Sequence, residues 1–195
     1  MELLFATGNK DKLKEVKKIL SNDSIRMPED LGIDDFEVIE DGNTLEENSY
    51  KKAMELHKLT GKAVFADDTG LFVKALNNRP GVHSHRYASA NATYDDNRKK
   101  LLEELSDKYD RSAYFETVIS YIDSNGEVFH FTGRLDGYIS DIEKGKGEFG
   151  YDKIFIPENS QKSLAELTIE EKNQISHRAI AMEKFKKFLG EIWKF

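Results

Sequence analysis

Four short polar strings in this chain combine residue types suited to phosphate chemistry. They are Thr7-Gly8-Asn9-Lys10-Asp11-Lys12, Asp67-Asp68-Thr69-Gly70, Phe149-Gly150-Tyr151-Asp152 and Ser176-His177-Arg178. The first offers amides, neutral hydrogen-bond donors and two lysines for an anion. The second offers paired carboxylates for a metal ion or an attacking water. The third offers an aromatic ring for a base, and the fourth a guanidinium and an imidazole for a carbonyl or phosphate. Together they suit a magnesium-dependent enzyme acting on a nucleoside triphosphate.

Each string has a plainer reading. Thr7 to Lys12 is a strand-to-helix turn in which Gly8 lets the backbone approach a ligand. The first amides of the following helix are expected to be unpaired, with the helix dipole favouring an anion. The spacing is not that of a Walker loop, and an ordinary turn with a solvated lysine face has the same composition. Asp67 and Asp68, read as lying at a strand end, repel each other unless a cation or hydrogen bonds hold them. Magnesium takes one or two carboxylates and keeps several waters, but Asp-Asp-Thr-Gly is also a common turn. Glu40 is a further candidate ligand or a surface acid. Phe149 can stack a purine, worth roughly 1–3 kcal/mol per base, or simply pack in a loop. Ser176 can be a helix N-cap. The same tripeptide recurs as Ser84-His85-Arg86, so only context distinguishes the two copies.

The elements that must position these strings follow from periodicity. Leu3 to Ala6 and Ala63 to Ala66 are short apolar runs expected as buried strands. Leu13, Val16, Ile19 and Leu20 define one helical face. Thr44 with Glu47 and Thr168 with Glu171 are capping boxes, and Gly61 ends the first of these helices. Thr93 caps a helix carrying Leu101, Leu102 and Leu105. Phe36 to Ile39 alternates like a strand. Tyr114 to Ile122 and Val128 to Ile139 are paired strands about the Asn125-Gly126 turn, the second with a bend at Gly133 or Gly137. Lys144 to Gly147 reads as a mobile loop, and Ile154 to Ile156 as a brief strand. The last helix is expected to bury Ile180, Phe185, Phe188, Leu189 and Ile192. The pattern predicts an α/β fold: a long central mixed sheet flanked by helices, with two lobes around an active-site cleft. Residues 1–195 are expected to form a single domain.

Composition excludes several classes. The chain has 195 residues, 38% hydrophobic and 33% charged, which describes a soluble globular protein. No apolar run approaches the roughly 20 residues of a membrane span, and the N-terminus lacks the pattern of a secretory signal. Zero cysteines exclude disulfides and thiolate metal sites and fit a reducing, cytoplasmic location. A net charge of -7 argues against coating nucleic acid, though not against a local basic pocket.

The strings, in this order, resemble the inosine triphosphate pyrophosphatase family, also called Ham1-like or RdgB-like. The resemblance runs nearly the whole chain, through Phe5 to Asn9, Glu47-Asn48, Ala66 to Leu71, Pro80 to Val82, Phe149 to Asp152 with Ile154-Phe155, Ala165 to Thr168 with Glu171-Lys172, and Ser176 to Arg178. It implies hydrolysis of ITP, dITP or XTP to monophosphate and pyrophosphate, clearing deaminated purines from the nucleotide pool. By position, Thr7, Gly8, Asn9 and Lys12 match the triphosphate loop; Lys10 is a local addition, and Asp11 is a substrate-binding candidate within the same string. Asp68 matches the general base and metal ligand, and Glu40 the second Mg2+ ligand. Thr69 stands where serine is common. Phe149, Asp152, Lys172, His177 and Arg178 match the base pocket, with Gly150 and Tyr151 inside its string. His83 and His85 depart from the family pattern. The resemblance also implies a homodimer.

Discrimination is expected at the purine 6-position, where inosine and xanthosine carry a carbonyl that His177 or Arg178 can meet. The amino group of adenine would face a donor there and be left unpaired. A non-catalytic nucleotide-binding protein and a Maf-like pyrophosphatase for modified pyrimidines remain the alternatives.

Overall fold

A computed structural model describes residues 3–20 and 24–192; Met1, Glu2 and the C-terminal residues from Trp193 lie outside them. β1 (Leu3–Phe5) pairs in parallel with β2 (Ile25–Arg26) on one side and with β3 (Val64–Val73) on the other. β4 (Arg79–Gly81) runs antiparallel to β3, with Leu71 opposite Gly81. β5 (Ser112–Ile122), β6 (Val128–Ile139) and β7 (Phe155–Pro157) complete a mixed sheet of seven strands among the described residues. Its order is β2-β1-β3-β5-β6-β7, with β4 beside β3. The turn between β5 and β6 closes through the amide of Gly126, which donates to the carbonyl of Asp123 at 3.1 Å.

Among the described residues five α-helices accompany the sheet: α1 (Lys10–Leu20), α2 (Leu45–Thr60), α3 (Tyr94–Glu104), α4 (Ile169–Ile175) and α5 (His177–Ile192). The Thr44, Thr93 and Thr168 hydroxyls accept from the amides of Glu47, Asp96 and Glu171, as the sequence predicts. Such a cap is worth about 1 kcal/mol. No helix among the described residues is long and apolar enough to cross a membrane.

The chain divides into two compact units. Unit 1 takes residues 1–68, 117–133 and 178–195, and unit 2 takes 69–116 and 134–177. In unit 1, strand alternation sorts side chains onto two faces. Leu3, Phe5 and Phe65 join Val16 and Ile19 of α1 and Met182 and Phe185 of α5. Leu4, Ala6, Val64 and Ala66 instead join Ala53 and Leu56 of α2. The core of unit 2 is a separate cluster that includes Leu71, Val73, Leu101, Phe115, Tyr151 and Phe155.

The structure corrects several expectations. β3 does not end at Ala66 but runs through Asp67-Asp68-Thr69-Gly70 to Val73, so the acids lie within a strand, not in a turn. Phe36 to Ile39 is not a strand, and Ile39 is 81% exposed. Alternation alone cannot make a strand without a partner edge. The Lys144 to Gly147 loop is fastened: the amide of Lys144 donates to the carbonyl of Lys153 at 2.8 Å, and the Ser163 hydroxyl donates to the carbonyl of Lys144 at 2.9 Å. On α5, Ala181 and Met182 are buried, while Ile192 is exposed.

Candidate active site

The end of β1 delivers the first string. The carboxamide oxygen of Asn9 accepts from the amides of Asp11 at 2.9 Å and Lys12 at 3.2 Å, capping α1. The Thr7 hydroxyl accepts from the amide of Asn9 at 3.1 Å. Two of the helix amides expected to be unpaired, those of Asp11 and Lys12, are therefore satisfied by Asn9, because a short polar residue preceding a helix caps it. A Cβ on Gly8 would meet nothing within 4 Å. Lys10 is exposed and faces Glu29 at 3.4 Å, and Asp11 is exposed as well, so neither joins the buried network below.

That network centres on β3, whose alternation sends adjacent acids to different partners. Asp67 continues the row of Phe65. Its Oδ1 accepts from Lys12 Nζ at 3.0 Å, its Oδ2 accepts from Arg178 Nε at 3.0 Å, and its side chain is fully buried. The other arm of Arg178, Nη1, donates to Glu15. Burial alone would raise the Asp67 carboxyl, but the charges of Lys12, Arg178 and Lys52 outweigh it and hold it far below the ordinary range. Burial lowers the Lys12 ammonium, with Asp67 opposing. Arg178 is likewise penalised by burial, yet Asp67 and Glu15 raise it further.

Asp68 continues the row of Ala66, toward the side of α2. Lys52 Nζ donates to Asp68 Oδ1 at 3.4 Å and to Glu40 Oε2 at 3.1 Å, so one ammonium bridges the two carboxylates expected to hold a metal. Asp68 Oδ2 is buried and has no hydrogen-bond partner among the described residues. Burial, helped by the charges of Glu40 and Asp67, raises the Asp68 carboxyl against the pull of Lys52 and Lys12. Lys52 loses to burial but gains more from Asp68 and Glu40, and stays charged. The segment carrying Glu40 is tied to α2 by Asn48, whose Oδ1 accepts from the amide of Gly42 at 2.8 Å. A Cβ on Gly42 would come within 2.6 Å of that oxygen.

These groups fit Mg2+. Two carboxylates with an orphaned buried oxygen between charged neighbours are what a hard cation takes when substrate phosphates and water complete its shell. Among the described residues no cluster of three or more His, Cys, Asp or Glu forms a closed protein cage.

The third string lies in unit 2. Gly150 has φ of 55°, the left-handed region that favours glycine. It lets the turn close with the amide of Asp152 donating to the carbonyl of Phe149 at 3.1 Å. Asp152 accepts from Lys172 Nζ at 2.6 Å, and that ammonium stands 5.0 Å from the centre of the Phe149 ring. Tyr151 is buried, and its hydroxyl donates to the carbonyl of Ser84 at 2.7 Å, which makes it a strut rather than an open stacking ring. The His177 ring stacks on Phe115 at 4.7 Å.

The two Ser-His-Arg copies separate by context. Ser84 is buried in a 3-10 turn, accepting from the amide of Leu71 and donating to the carbonyl of Gly81. Ser176 is the extended residue between α4 and α5, with His177 opening α5. The structure thus joins Lys12, Glu40, Asp68 and Arg178 in one network of unit 1, and Phe149, Asp152 and Lys172 in one cluster of unit 2. Thr69 follows Asp68 within β3.

Sequence reasoning missed Glu15 and Lys52, and met Asn48 only as part of the Glu47-Asn48 string without giving it a role. Helical spacing carries the signal: Glu15 lies three residues after Lys12, and Lys52 four after Asn48, so each pair shares a face.

The chain matches the model of the Ham1 family over residues 3–188. It is 47% identical to a dITP/XTP pyrophosphatase of Thermoanaerobacter pseudethanolicus over 97% of this chain and 96% of that protein. It is 45% identical to a dITP/XTP pyrophosphatase of Porphyromonas gingivalis, over 96% of this chain and 97% of that protein. Its fold superposes on the Ham1 protein of Staphylococcus aureus with a TM-score of 0.89 at 39% identity, covering 98% of this chain and 99% of that one.

Proposed function

The chain belongs to the Ham1 family, and on that footing we propose that it hydrolyses noncanonical purine nucleoside triphosphates. Its substrates are ITP, dITP and XTP, and its products the nucleoside monophosphate and pyrophosphate. The observation that carries the reading is the division of labour on β3. Asp67 is bound up with Lys12 and Arg178, while Asp68 keeps a buried, unpartnered oxygen beside Glu40 and Lys52.

In this reading Asp68 is the general base. Water attacks the α-phosphorus, the bond from that phosphorus to the bridging oxygen of the β-phosphate breaks, and Asp68 accepts the proton the water loses. The buried, unpartnered Oδ2 of Asp68 beside Glu40 and Lys52 is the acceptor that suits this task. Glu40 and Asp68 would hold Mg2+, which when bound supplies charge neutralisation for the departing pyrophosphate. Lys12 and the Thr7–Asn9 turn bind phosphate oxygens, with the Thr69 hydroxyl as a further donor. Phe149 stacks the purine, and Asp152 and Lys172 orient that stack. His177 and Arg178 read the 6-carbonyl, which excludes the amino group of adenine.

We further propose a cytoplasmic homodimer, supported by the family resemblance and by the absence of cysteine. The test is a panel of ITP, dITP, XTP, ATP, dUTP and UTP with magnesium, scoring monophosphate and pyrophosphate separately. Efficient release of pyrophosphate from ITP and XTP but not ATP or UTP is the expected result. Preference for UTP or dUTP, or release of orthophosphate, overturns the reading.

A further inference from the structure

Arg98 is a charged side chain 1% exposed, and nothing in the proposed chemistry uses it. Arginine is seldom buried this completely unless every donor has a partner. Here Nε donates to Glu143 at 2.6 Å, and Nη2 faces Glu148 at 3.4 Å and Asp95 at 3.6 Å. The decisive contacts are to the backbone. Nη1 donates to the carbonyl of Gly150 at 3.0 Å and reaches that of Glu148 at 3.4 Å. Those carbonyls flank Phe149 on either side.

One helical turn earlier on α3, Tyr94 meets the Phe149 ring edge-on, with centroids 5.6 Å apart and planes at 74°. The same short stretch of helix therefore holds both the backbone around Phe149 and the edge of its ring. The segment it holds, Glu143 to Gly150, contains glycines at 145, 147 and 150. Such a segment has a large conformational freedom to lose on ordering. A planar guanidinium with five donors can fix two carbonyls and two carboxylates at once, which neither lysine nor an apolar residue can do.

We infer that Arg98 is a positioning residue of the nucleobase site: its buried guanidinium holds Phe149 in the stacking attitude before substrate arrives. The inference rests on the reading of Phe149 as the base-stacking ring. It concerns affinity for the base, because a preordered ring spares the ligand the cost of ordering it. It predicts no effect on ligands that have no base.

The test compares ITP with inorganic tripolyphosphate as a base-free competitive inhibitor, in Arg98→Leu, Phe149→Ala and the double variant. Arg98→Leu is expected to raise KM for ITP about tenfold, a loss of about 1.4 kcal/mol, while kcat and the inhibition constant of tripolyphosphate stay within about twofold of the parent. Because Arg98 acts through Phe149, the double variant is expected to be no worse than Phe149→Ala alone. Glu143→Gln weakens the clamp while Arg98 keeps its carbonyls, and is expected to give a smaller rise; it serves if Arg98→Leu does not fold. If Phe149→Ala leaves KM for ITP unchanged, the nucleobase reading of Phe149 fails. If Phe149→Ala weakens ITP but Arg98→Leu and Glu143→Gln do not, or if tripolyphosphate weakens equally, the inference about Arg98 is overturned.

Discussion

Arg178 donates its Nε to Asp67 Oδ2 at 3.0 Å across 111 positions of sequence. The guanidinium proposed to read the purine is thus also the buried counterion of a strand carboxylate. Removing it leaves Asp67 with Lys12 and leaves Glu15 without that partner, and breaking a buried pair costs about 3–5 kcal/mol. Arg178→Ala is expected to lower thermal stability and to erode the ratio of specificity constants for ITP over ATP. Arg86→Ala, in the Ser84 turn, should spare both. Kinetics for the two substrates below the melting temperature decide it, and a reversed order of severity means the base pocket belongs to the other tripeptide.

Asp68→Asn keeps the shape of the side chain but cannot take a proton. Turnover of ITP is expected to fall at least about 100-fold, the lower end of general-base contributions, while substrate still binds. Single-turnover kinetics with a separate binding titration measure the two effects. Activity within a few-fold of the parent removes Asp68 from the role of base.

Asp67 holds the Lys12 ammonium in place, so on the proposed reading its charge meets phosphates in ground and transition states alike. Lys12→Ala is expected to raise KM more than it lowers kcat. A change confined to kcat would move Lys12 to the leaving pyrophosphate.

Lys52 bridges Glu40 and Asp68, the two carboxylates proposed to hold a divalent cation, and on that reading would compete with it. Lys52→Met is expected to lower thermal stability in EDTA and to regain much of it on adding Mg2+. In the parent, Mg2+ should shift the melting temperature less. Calorimetric melts of both proteins, with and without metal and in the absence of nucleotide, provide the comparison; an equal shift in each contradicts the competition.

The pH dependence of stability follows from Asp67. Its folded-state carboxyl lies below the unfolded value of about 3.9. The stability this ionisation contributes is therefore complete above that value and is lost as pH falls toward the folded one. Metal-free urea melts from pH 7 to 5 should show no loss assignable to Asp67, with the decline beginning near pH 4. In Asp67→Asn the deficit relative to the parent should shrink below that point. A deficit that grows on acidification contradicts the assignment.

What the sequence disclosed was mostly local. Thr44, Thr93 and Thr168 announced their helices because a cap bonds to an amide only three residues away. The Asn125-Gly126 turn did so for the same reason. Asp67 and Asp68 misled because aspartate and glycine disfavour strands. Their place in β3 is underwritten by Lys12, Lys52 and Arg178, which arrive from three different helices. Arg98 was illegible because, Asp95 apart, its partners lie about fifty positions away. Nothing near it distinguishes a buried clamp from one more basic residue on a helix.

The alternation of β3 has a consequence for how this gene tolerates change. Asp67 and Asp68 differ in duty only because one follows Phe65 toward α1 and α5 and the other follows Ala66 toward α2. Substitutions on either side alter one duty at a time. A single-codon deletion between Val64 and Ala66 is expected to act differently: it shifts the register by one, moving Asp68 into the place of Asp67 beside Lys12 and Arg178 and putting Asp67 in the place of Ala66 on the face toward α2.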